Sequence, residues 1–231
     1  KLKKAKSVGF DGEILPYNKI KLYSKSLNKK TKLIPLNKNL IDHIWKNKPK
    51  KKKSRPFVLS NKFSGEDAKS KVSKIIKFLK NSKADYYVLT ACDSISWLFN
   101  LRSKDIEYTP IFLSQAIVHK TGKCYIFSDC ESNYKKKLKI DLSFKKKKNI
   151  YSFIKKNGDK KTFICDINTI NYNLAITIKS HGKLKLQSDI VQLLKSKKNK
   201  TEQRGMISSH IRDGASLTKF IFWLKNKVKI K

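Results

Sequence analysis

Apolar residues follow two different spacings along this chain, and the two spacings alternate. The runs ADYYVLTACD at 84–93 and KTFICDI at 161–167 are dense in β-branched and aromatic residues, which predicts buried strands. Before the first run, apolar residues recur at positions i, i+3, i+4 and i+7, which predicts a helix with one face against a core. These residues are Val72, Ile75, Ile76 and Leu79. The alternation predicts an α/β fold.

The remaining segments up to residue 179 extend this alternation. A helical turn is expected at 94–101, and PIFLSQAIVHKTGKCYIFSD at 110–129 places two apolar stretches around a Thr-Gly pair, which predicts a β-hairpin. Beyond it come a helix-like segment at 132–139, a strand-like one at 139–144, and helix-like ones at 149–157 and 169–179. One hairpin inserted among alternating strands and helices predicts a mixed sheet flanked by helices.

The helix that contains Val72 has a start signal on its N-terminal side. Ser64 and Asp67 stand three residues apart in SGEDAKSKV, a spacing like that of a capping box. We therefore expect the Ser64 hydroxyl to satisfy a free backbone N–H at the start of this helix.

The N-terminal part contains strand signals at 7–11 and 32–36, an amphipathic run at 20–27 and a helix signal at 39–48. These elements are too few for a domain, so we expect the end of a domain that begins upstream. The segment KPKKKKSRP at 48–56 has prolines near both ends and like charges between them, which predicts an extended, solvated linker. A nuclear-localisation or polyanion-binding run is the alternative interpretation.

The C-terminal part predicts a short helix, a charged connection and a long helix. In the long helix, Leu217, Phe220, Ile221 and Leu224 again fall at i, i+3, i+4 and i+7. We expect this helix to begin a further domain or to pack across to one. Because the single methionine is Met206, we also expect the chain to be a segment of a longer protein.

The charge of the chain suggests a polyanionic partner, but its distribution does not. Lys and Arg number 55 against 17 Asp and Glu, a formal net charge of +38, which is typical of proteins that bind nucleic acid or anionic membranes. However, only four of these residues are Arg, the residue that pairs bidentately with phosphates and guanine, and Lys is spread from end to end. We attribute the charge to compositional bias at surface positions. A stand-alone basic α/β module that binds nucleic acid or another polyanion is the alternative function.

The sequence indicates a cytoplasmic protein without a membrane partner. Its four cysteines include no C-x-x-C pair, which favours free thiols in a reducing compartment. No stretch approaches the roughly 18 apolar residues of a membrane span, and the start lacks the apolar core of a signal peptide.

No catalytic or metal-binding motif appears in the chain. None of the four histidines is paired with a second at metal-binding spacing, and neither G-x-S-x-G nor a phosphate-binding glycine loop is present. Cys92 follows a buried strand, but no basic neighbour in the sequence would activate it as a nucleophile. We therefore expect no catalytic and no metal-ligating residue in this segment.

The stretch CDSISWLFNLRSKDIEYTP departs from the lysine-rich background, because acids and bases are nearly balanced in it. In one interpretation, Asp93, Asn100 and Arg102 surround Trp97 in a loop after the carboxyl end of a strand, where α/β folds place ligand or partner contacts. In the other, which we favour, Trp97 and Phe99 fill the core and Arg102 pairs with a carboxylate. Such a loop can also border a neighbouring site.

Three phrases carry a family resemblance: NLIDHIWKNKP, YYVLTACDSISWLFNLRSKDIEYTPIFLSQAIV and KNKTEQRGMISSHIRDGASLTKFIFWL. In this order and spacing they resemble aminopeptidase P, the X-Pro aminopeptidase branch of the creatinase and prolidase-like metallopeptidases. The resemblance covers residues 7–128 and 189–225. A creatinase-type amidinohydrolase fits NLIDHIW and WLFNLR less well. The family's NLRG appears here as NLRS, so Ser103 alters this turn if the family glycine has a positive φ.

The resemblance implies a domain organisation. In long members of the family, two N-terminal domains of the creatinase amino-terminal type, with a ribonuclease-H-like α/β fold, precede a catalytic domain of pita-bread fold. Residues 1–48 would then end the first domain, 49–56 would be the basic linker, 57–196 would form the second domain, and 197–231 would provide the first helix of the catalytic domain.

The resemblance also implies an activity for the parent protein, the removal of an N-terminal residue from peptides with proline in second position. The family uses two divalent metal ions, usually manganese, held by two Asp, one His and two Glu of the catalytic domain. None of these ligands matches a position here, so we expect no cofactor in this segment and no activity of the segment alone. Its implied role is to shape substrate access, through the loop with Asp93, Trp97, Asn100 and Arg102, and to contribute subunit contacts in a homodimer.

Overall fold

A six-stranded mixed sheet with helices on both faces forms the centre of the chain in a computed structural model that describes residues 5–49, 54–130 and 134–227. The strands are β1 Ser7–Asp11, β2 Lys32–Leu36, β3 Phe57–Val58, β4 Tyr86–Leu89, β5 Leu101–Arg102, β6 Gln115–His119, β7 Cys124–Ser128, β8 Leu142–Lys146, β9 Thr162–Asp166 and β10 Lys183–Gln187. The helices are α1 Tyr17–Ser26, α2 Leu40–Ile44, α3 Asn61–Ser64, α4 Ala68–Asn81, α5 Cys92–Leu98, α6 Lys135–Leu138, α7 Asn149–Asn157, α8 Tyr172–His181, α9 Ile190–Ser196 and α10 Lys200–Lys227.

The main sheet has the strand order β10-β9-β4-β6-β7-β8. Strand β9 is parallel to both β10 and β4, β6 is antiparallel to both β4 and β7, and β8 is parallel to β7. The predicted hairpin is the β6–β7 pair, whose tight connection contains Gly122 with φ +95°, a left-handed conformation that glycine adopts without steric cost. The predicted fold class, α/β with a mixed sheet between helices, is confirmed.

Two apolar cores lie on opposite faces of this sheet. Along β4, Tyr87 and Leu89 face one core, whereas Tyr86 and Val88 face the other, as the alternation of side chains in a strand requires. Helices α4, α5 and α9 cover the first core, and α7 and α8 cover the second. The predicted apolar stripe of α4 faces the first core, with Val72, Ile75 and Leu79 buried and Ile76 partly buried.

Strands β1 and β2 form a separate two-stranded parallel sheet whose connecting helix α1 packs on α8. The ring of Phe10 meets that of Tyr172 edge-on, with centroids 4.9 Å apart. The Glu13 carboxylate accepts hydrogen bonds from Asn173 Nδ2 at 3.1 Å and from the Tyr151 hydroxyl. The N-terminal elements are therefore attached to the main sheet by both apolar and polar contacts.

Helix α4 begins differently from the prediction. Its N-cap is Asp67, whose Oδ1 accepts a hydrogen bond from Ser70 N at 2.7 Å. Ser64 lies in α3, where it is buried and donates its hydroxyl to Glu66 O at 3.1 Å. The predicted Ser64 cap is wrong because Gly65, with φ +67°, ends α3 before α4 begins.

Several other bounds differ from the sequence-based expectations. Helix α2 ends at Ile44 rather than at residue 48, and α5 begins at Cys92 rather than at residue 94. Strand β10 was not predicted; it lies at the edge of the sheet and pairs with β9. Parts of two predicted segments, residues 50–53 of the linker and 132–133 of the first helix after the hairpin, lie outside the described residues.

Helix α10 has 28 residues, and none of them is buried. The predicted stripe of Leu217, Phe220, Ile221 and Leu224 lies on one side of this helix and is exposed. Within the described part of the chain, this stripe packs against no core. Neither α10 nor any other described helix combines the length and the apolar character that crossing a membrane requires.

Candidate functional site

A buried lysine lies beneath the loop that connects α5 to β5. Lys71 on α4 is 1% exposed, and its Nζ donates to Trp97 O at 2.9 Å and to Asn100 Oδ1 at 2.7 Å. The same Nζ stands 4.1 Å from the centroid of the Trp97 ring, which is cation–π geometry. Burial lowers the pKa of Lys71 to about 8, and the negative charges of Glu202 and Glu66 limit the decrease.

Asn100 gives the loop its shape. Its φ is +51°, a left-handed conformation that Asn tolerates better than most residues. Its Nδ2 donates to Glu66 O at 2.8 Å, and its carbonyl oxygen accepts from Leu59 N at 2.7 Å. Ser103 is buried without a positive φ, and its hydroxyl lies 2.8 Å from that of Ser54. The left-handed residue of NLRS is therefore Asn100, so the serine creates no backbone strain here.

Trp97 connects this loop to the start of α10. Its indole Nε1 donates to Glu202 Oε1 at 3.0 Å, while Glu202 Oε2 accepts from Asn199 N at 2.9 Å. Asn199 Oδ1 in turn accepts from the backbone N–H groups of Thr201 and Glu202, both at 3.0 Å. Asn199 and Glu202 thus form a reciprocal N-terminal cap on α10 that resembles a capping box, and Trp97 binds the carboxylate of that cap.

Arg102 pairs with no carboxylate among the described residues, so that part of the structural interpretation is wrong. Its Nη1 donates to two backbone carbonyls, Ser96 O at 2.6 Å and Leu101 O at 2.9 Å. Burial lowers the pKa of Arg102, and the charge of Glu202 opposes this shift. Arg102 therefore stabilises the turn between α5 and β5 by binding one carbonyl at the end of the short helix, where carbonyls lack helical partners, and one at the start of the strand.

Asp93 lies apart from the other three candidate residues and binds α9. Its Oδ2 accepts from Gln192 Nε2 at 2.9 Å and from Lys195 Nζ. Burial alone would raise the pKa of Asp93, but the hydrogen bonds from Lys195 and Gln192 outweigh it, and the pKa is lowered. The structure therefore brings Trp97, Asn100 and Arg102 together, whereas Asp93 attaches α9 to α5.

Sequence reasoning missed two members of this cluster, Lys71 and Glu202. Lys71 occupies a core-facing position, four residues before Ile75 and eight before Leu79. That spacing indicates a buried position, but the large number of surface lysines in this chain gives no reason to expect a buried one. Glu202 follows Asn199 by three residues, which is a capping-box spacing that could have located the start of α10.

A separate cleft of about 860 Å³ lies where the N-terminal elements approach the main sheet. Its lining includes Asp11 at the end of β1 and Asp129 just after β7, which is the side where α/β folds bind ligands. Its carboxylates are Asp11, Glu13, Asp42, Asp105 and Asp129. Several of these bind the protein itself; Asp11 Oδ2, for example, accepts from Asn39 Nδ2 at 2.7 Å. Nowhere in residues 5–49, 54–130 and 134–227 do three His, Cys, Asp or Glu side chains converge as metal ligands would.

Comparison with known protein families shows which family the chain belongs to. Residues 47–202, more than half of its length, match the model of the Creatinase/Prolidase N-terminal domain. The chain belongs to this family. The matched region begins in the segment before β3 and ends at Glu202, so it contains Lys71, Trp97, Asn100 and Arg102.

Similar proteins in this family are aminopeptidases P. A protein of Penicillium rubens named Probable Xaa-Pro aminopeptidase P is 29% identical over 234 residues, covering 96% of this chain and 38% of its own length. Another of the same name, from Paracoccidioides lutzii, is 30% identical over 245 residues, covering 98% of this chain and 39% of its own length. The chain thus spans less than two fifths of these relatives.

A solved structure extends the similarity to the fold of nearly the whole chain. The X-prolyl aminopeptidase of Caenorhabditis elegans, described as a cytosolic enzyme with a di-nuclear active site, superposes with a TM-score of 0.85 at 26% identity. The match covers 96% of this chain and 37% of the enzyme. The resemblance to aminopeptidase P that the sequence phrases indicated is confirmed. These comparisons give no support to the nucleic-acid alternative.

Proposed function

We propose that this chain is the non-catalytic N-terminal portion of a metal-dependent X-Pro aminopeptidase, which removes the N-terminal residue from peptides with proline in second position. The observation that supports the proposal most is the continuous similarity to the C. elegans enzyme over 96% of the chain. A match limited to one domain would support only the family. The cytosolic location of that enzyme favours the cytoplasm for the parent protein.

The proposed domain organisation assigns residues 1–48 to the end of a first domain, 49–56 to a basic linker, 57–196 to a second domain and 197–231 to the first helix of a pita-bread catalytic domain. Two observations favour it. The β1–β2 sheet is separate from the main sheet, and α10 exposes an apolar stripe that a catalytic portion would cover.

Two divalent metal ions are part of the proposal for the parent protein, with manganese as the expected metal. No set of described side chains here fits such a centre, because no three potential ligands converge. The ions would therefore be held by two Asp, one His and two Glu outside this chain. The metals would supply activation of a water molecule and polarisation of the scissile carbonyl.

The role of this chain is then to position and surround that centre. In the proposed homodimer it shapes substrate access and contributes subunit contacts. The loop with Trp97, Asn100 and Arg102 supports α10, and Asp93 holds α9 beside it. These residues contribute to access by placing helices rather than by binding peptide.

A chimaera tests the proposal. The matching N-terminal part of the C. elegans enzyme is replaced by this chain, and manganese-dependent cleavage of an X-Pro peptide is measured, with an X-Ala peptide as control. We expect cleavage of the X-Pro peptide by the chimaera and none by the chain alone. A chimaera that is folded and binds metal but cleaves neither peptide would contradict the proposal, as would X-Pro cleavage by the chain alone.

A further inference from the structure

Within the part of the chain that the structure describes, helix α10 contacts other elements near its N-terminal end only. Of its 28 residues, Thr201, Glu202 and Ser209 are half-buried and the others are exposed. A helix of this length extends about 42 Å, so a rotation of about 10° at its first turn displaces its far end by about 7 Å. Whatever α10 carries is therefore positioned by contacts near this end, and the polar ones lie at its first turn.

These first-turn contacts come from two places. The cap residue Asn199 donates its Nδ2 to Ser64 O at 2.9 Å, next to Gly65 at the end of α3. On the other side, the Trp97 indole donates to Glu202 Oε1. The second contact fixes direction, because Glu202 is itself held by Asn199 N through its other oxygen. A carboxylate bound at both oxygens has little freedom to rotate.

The Trp97 end of this contact is anchored just as firmly. Trp97 is 7% exposed, and the Lys71 ammonium binds both its ring face and its carbonyl oxygen. The charge of Glu202 acts in turn on Lys71 and on Arg102. A continuous set of contacts thus runs from the core helix α4, through α5, to the first turn of α10.

We propose that Lys71, Trp97 and Glu202 form a clamp, here called the α10 clamp, that fixes the direction of α10 relative to the main sheet. Resting on the proposed function, the inference makes these three side chains positioning residues for the catalytic portion that α10 begins. The partly buried Glu202 and the buried charge of Lys71 then serve to orient α10, in addition to any contribution to stability.

The distance between α10 and the main sheet tests the clamp in the chain itself. Nitroxides on p-azidophenylalanine at positions Lys155 of α7 and Lys219 of α10 leave the native cysteines untouched, and pulsed electron paramagnetic resonance gives the distance distribution. Trp97→Phe keeps an aromatic ring and removes the N–H donor, whereas Glu202→Gln keeps the shape of the side chain and removes its charge. We expect both variants to shift or widen the distribution by about 5 Å or more, the scale set by the lever length of α10.

The control is Arg204→Gln, which changes one charge on the same turn at an exposed position and should leave the distribution unchanged. Thermal unfolding identifies the variants that keep a folded sheet. An unchanged distribution in a folded Trp97→Phe and a folded Glu202→Gln would overturn the clamp. The measurement does not depend on activity, so an inactive chimaera would contradict the proposed function while the clamp is judged separately.

The chimaera adds a functional readout. If the catalytic portion follows α10, Trp97→Phe should lower kcat by about tenfold or more, since a small misplacement of reacting groups is costly, and Arg204→Gln should not. Normal kcat in a chimaera whose distance distribution has widened would refute the positioning role.

Discussion

At the scale of single residues, Lys71 keeps a positive charge inside an apolar core. Its Nζ binds two carbonyl oxygens and the ring of Trp97, and the carboxylates of Glu66 and Glu202 act on it electrostatically. A buried ammonium without partners costs several kcal/mol, and these contacts offset part of that cost. The part of the burial cost that is not offset lowers the pKa of Lys71, because burial favours the neutral amine.

Replacement of Lys71 by Met should change how stability depends on pH. The pKa of Lys71 is about 8 in the folded chain and 10.5 for an ordinary lysine, so between these values the unfolded chain binds more protons. The free energy of unfolding of the wild type should therefore rise relative to that of Lys71→Met as the pH increases through this window, by up to about 3 kcal/mol. Below pH 8 the difference should be constant. Urea unfolding across this range measures it.

Lys77→Met, an exposed lysine of the same helix, is the matched control and should show no such dependence on pH. The other charged groups that face Lys71 are common to all three proteins, so their titration cancels. They are Glu66, Glu202, Arg102 and Lys74. A difference between wild type and Lys71→Met that is flat from about pH 7.5 to about pH 10.5 would contradict the lowered pKa.

Three of the five residues of this cluster could be predicted from the sequence, because they are neighbours in one segment. Trp97, Asn100 and Arg102 belong to a phrase that departs from the lysine-rich background, so composition alone identified it. Lys71 and Glu202 lie 26 and 105 residues from Trp97. Only the fold brings them together. Whether a lysine points to solvent or into a core depends on the rotation of its helix, and one lysine among many gives no local sign of it.

At the scale of elements, the spacing of apolar residues predicted the helices and strands that pack against the core. The apolar stripe of α4, the buried strand β4 and the β6–β7 hairpin were all recognised, and α7 has the predicted bounds. The elements that were not predicted correctly lie at the edge of the sheet and at the ends of helices. Strand β10 reads KLKLQ and pairs with one neighbour, and its two apolar residues, Leu184 and Leu186, are only partly buried. Ser64 and Asp67 are both good caps, and the choice between them depends on where Gly65 turns the chain.

Gly65 joins two elements that must approach closely, and Gly65→Ala should separate them. Its φ is +67°, and a Cβ would stand 2.4 Å from Asn199 Oδ1, the cap of α10. We expect a loss of about 1 to 2 kcal/mol from the left-handed conformation, together with displacement of the α10 cap. Urea unfolding measures the loss, and the nitroxide pair measures the displacement.

The matched control is Gly205→Ala, one turn into α10, where a Cβ would meet nothing within 4 Å. Because alanine favours a helix interior, this change should leave stability equal or higher by about 0.5 to 1 kcal/mol. Equal stability of the two alanine variants would show that the approach of α3 to α10 is not tight.

At the scale of the whole molecule, two kinds of surface differ in what they indicate. The lysine charge is spread over the chain and identifies no single face. In contrast, four exposed apolar residues of α10 form a stripe along one side of this long helix, namely Leu217, Phe220, Ile221 and Leu224. Exposed apolar patches of this kind mark contact surfaces in soluble proteins. Under the proposed function, the stripe is the surface on which the catalytic portion packs, while the α10 clamp sets its direction.

Ile221→Asp should therefore have little effect in the chain alone and a large effect in the chimaera. In the chain alone, Ile221 is 42% exposed, so a polar replacement should change the free energy of unfolding by no more than about 0.5 kcal/mol. In the chimaera, the same side chain is expected to be buried against the catalytic portion, where an unpaired carboxylate costs several kcal/mol. X-Pro cleavage should then fall sharply.

Ala215→Asp, with the same charge change on the opposite side of α10, is the matched control and should leave both the free energy of unfolding and the cleavage unchanged. If Ile221→Asp and Ala215→Asp chimaeras cleave the peptide equally well, the stripe is not the contact surface, because its burial would then carry no energetic consequence.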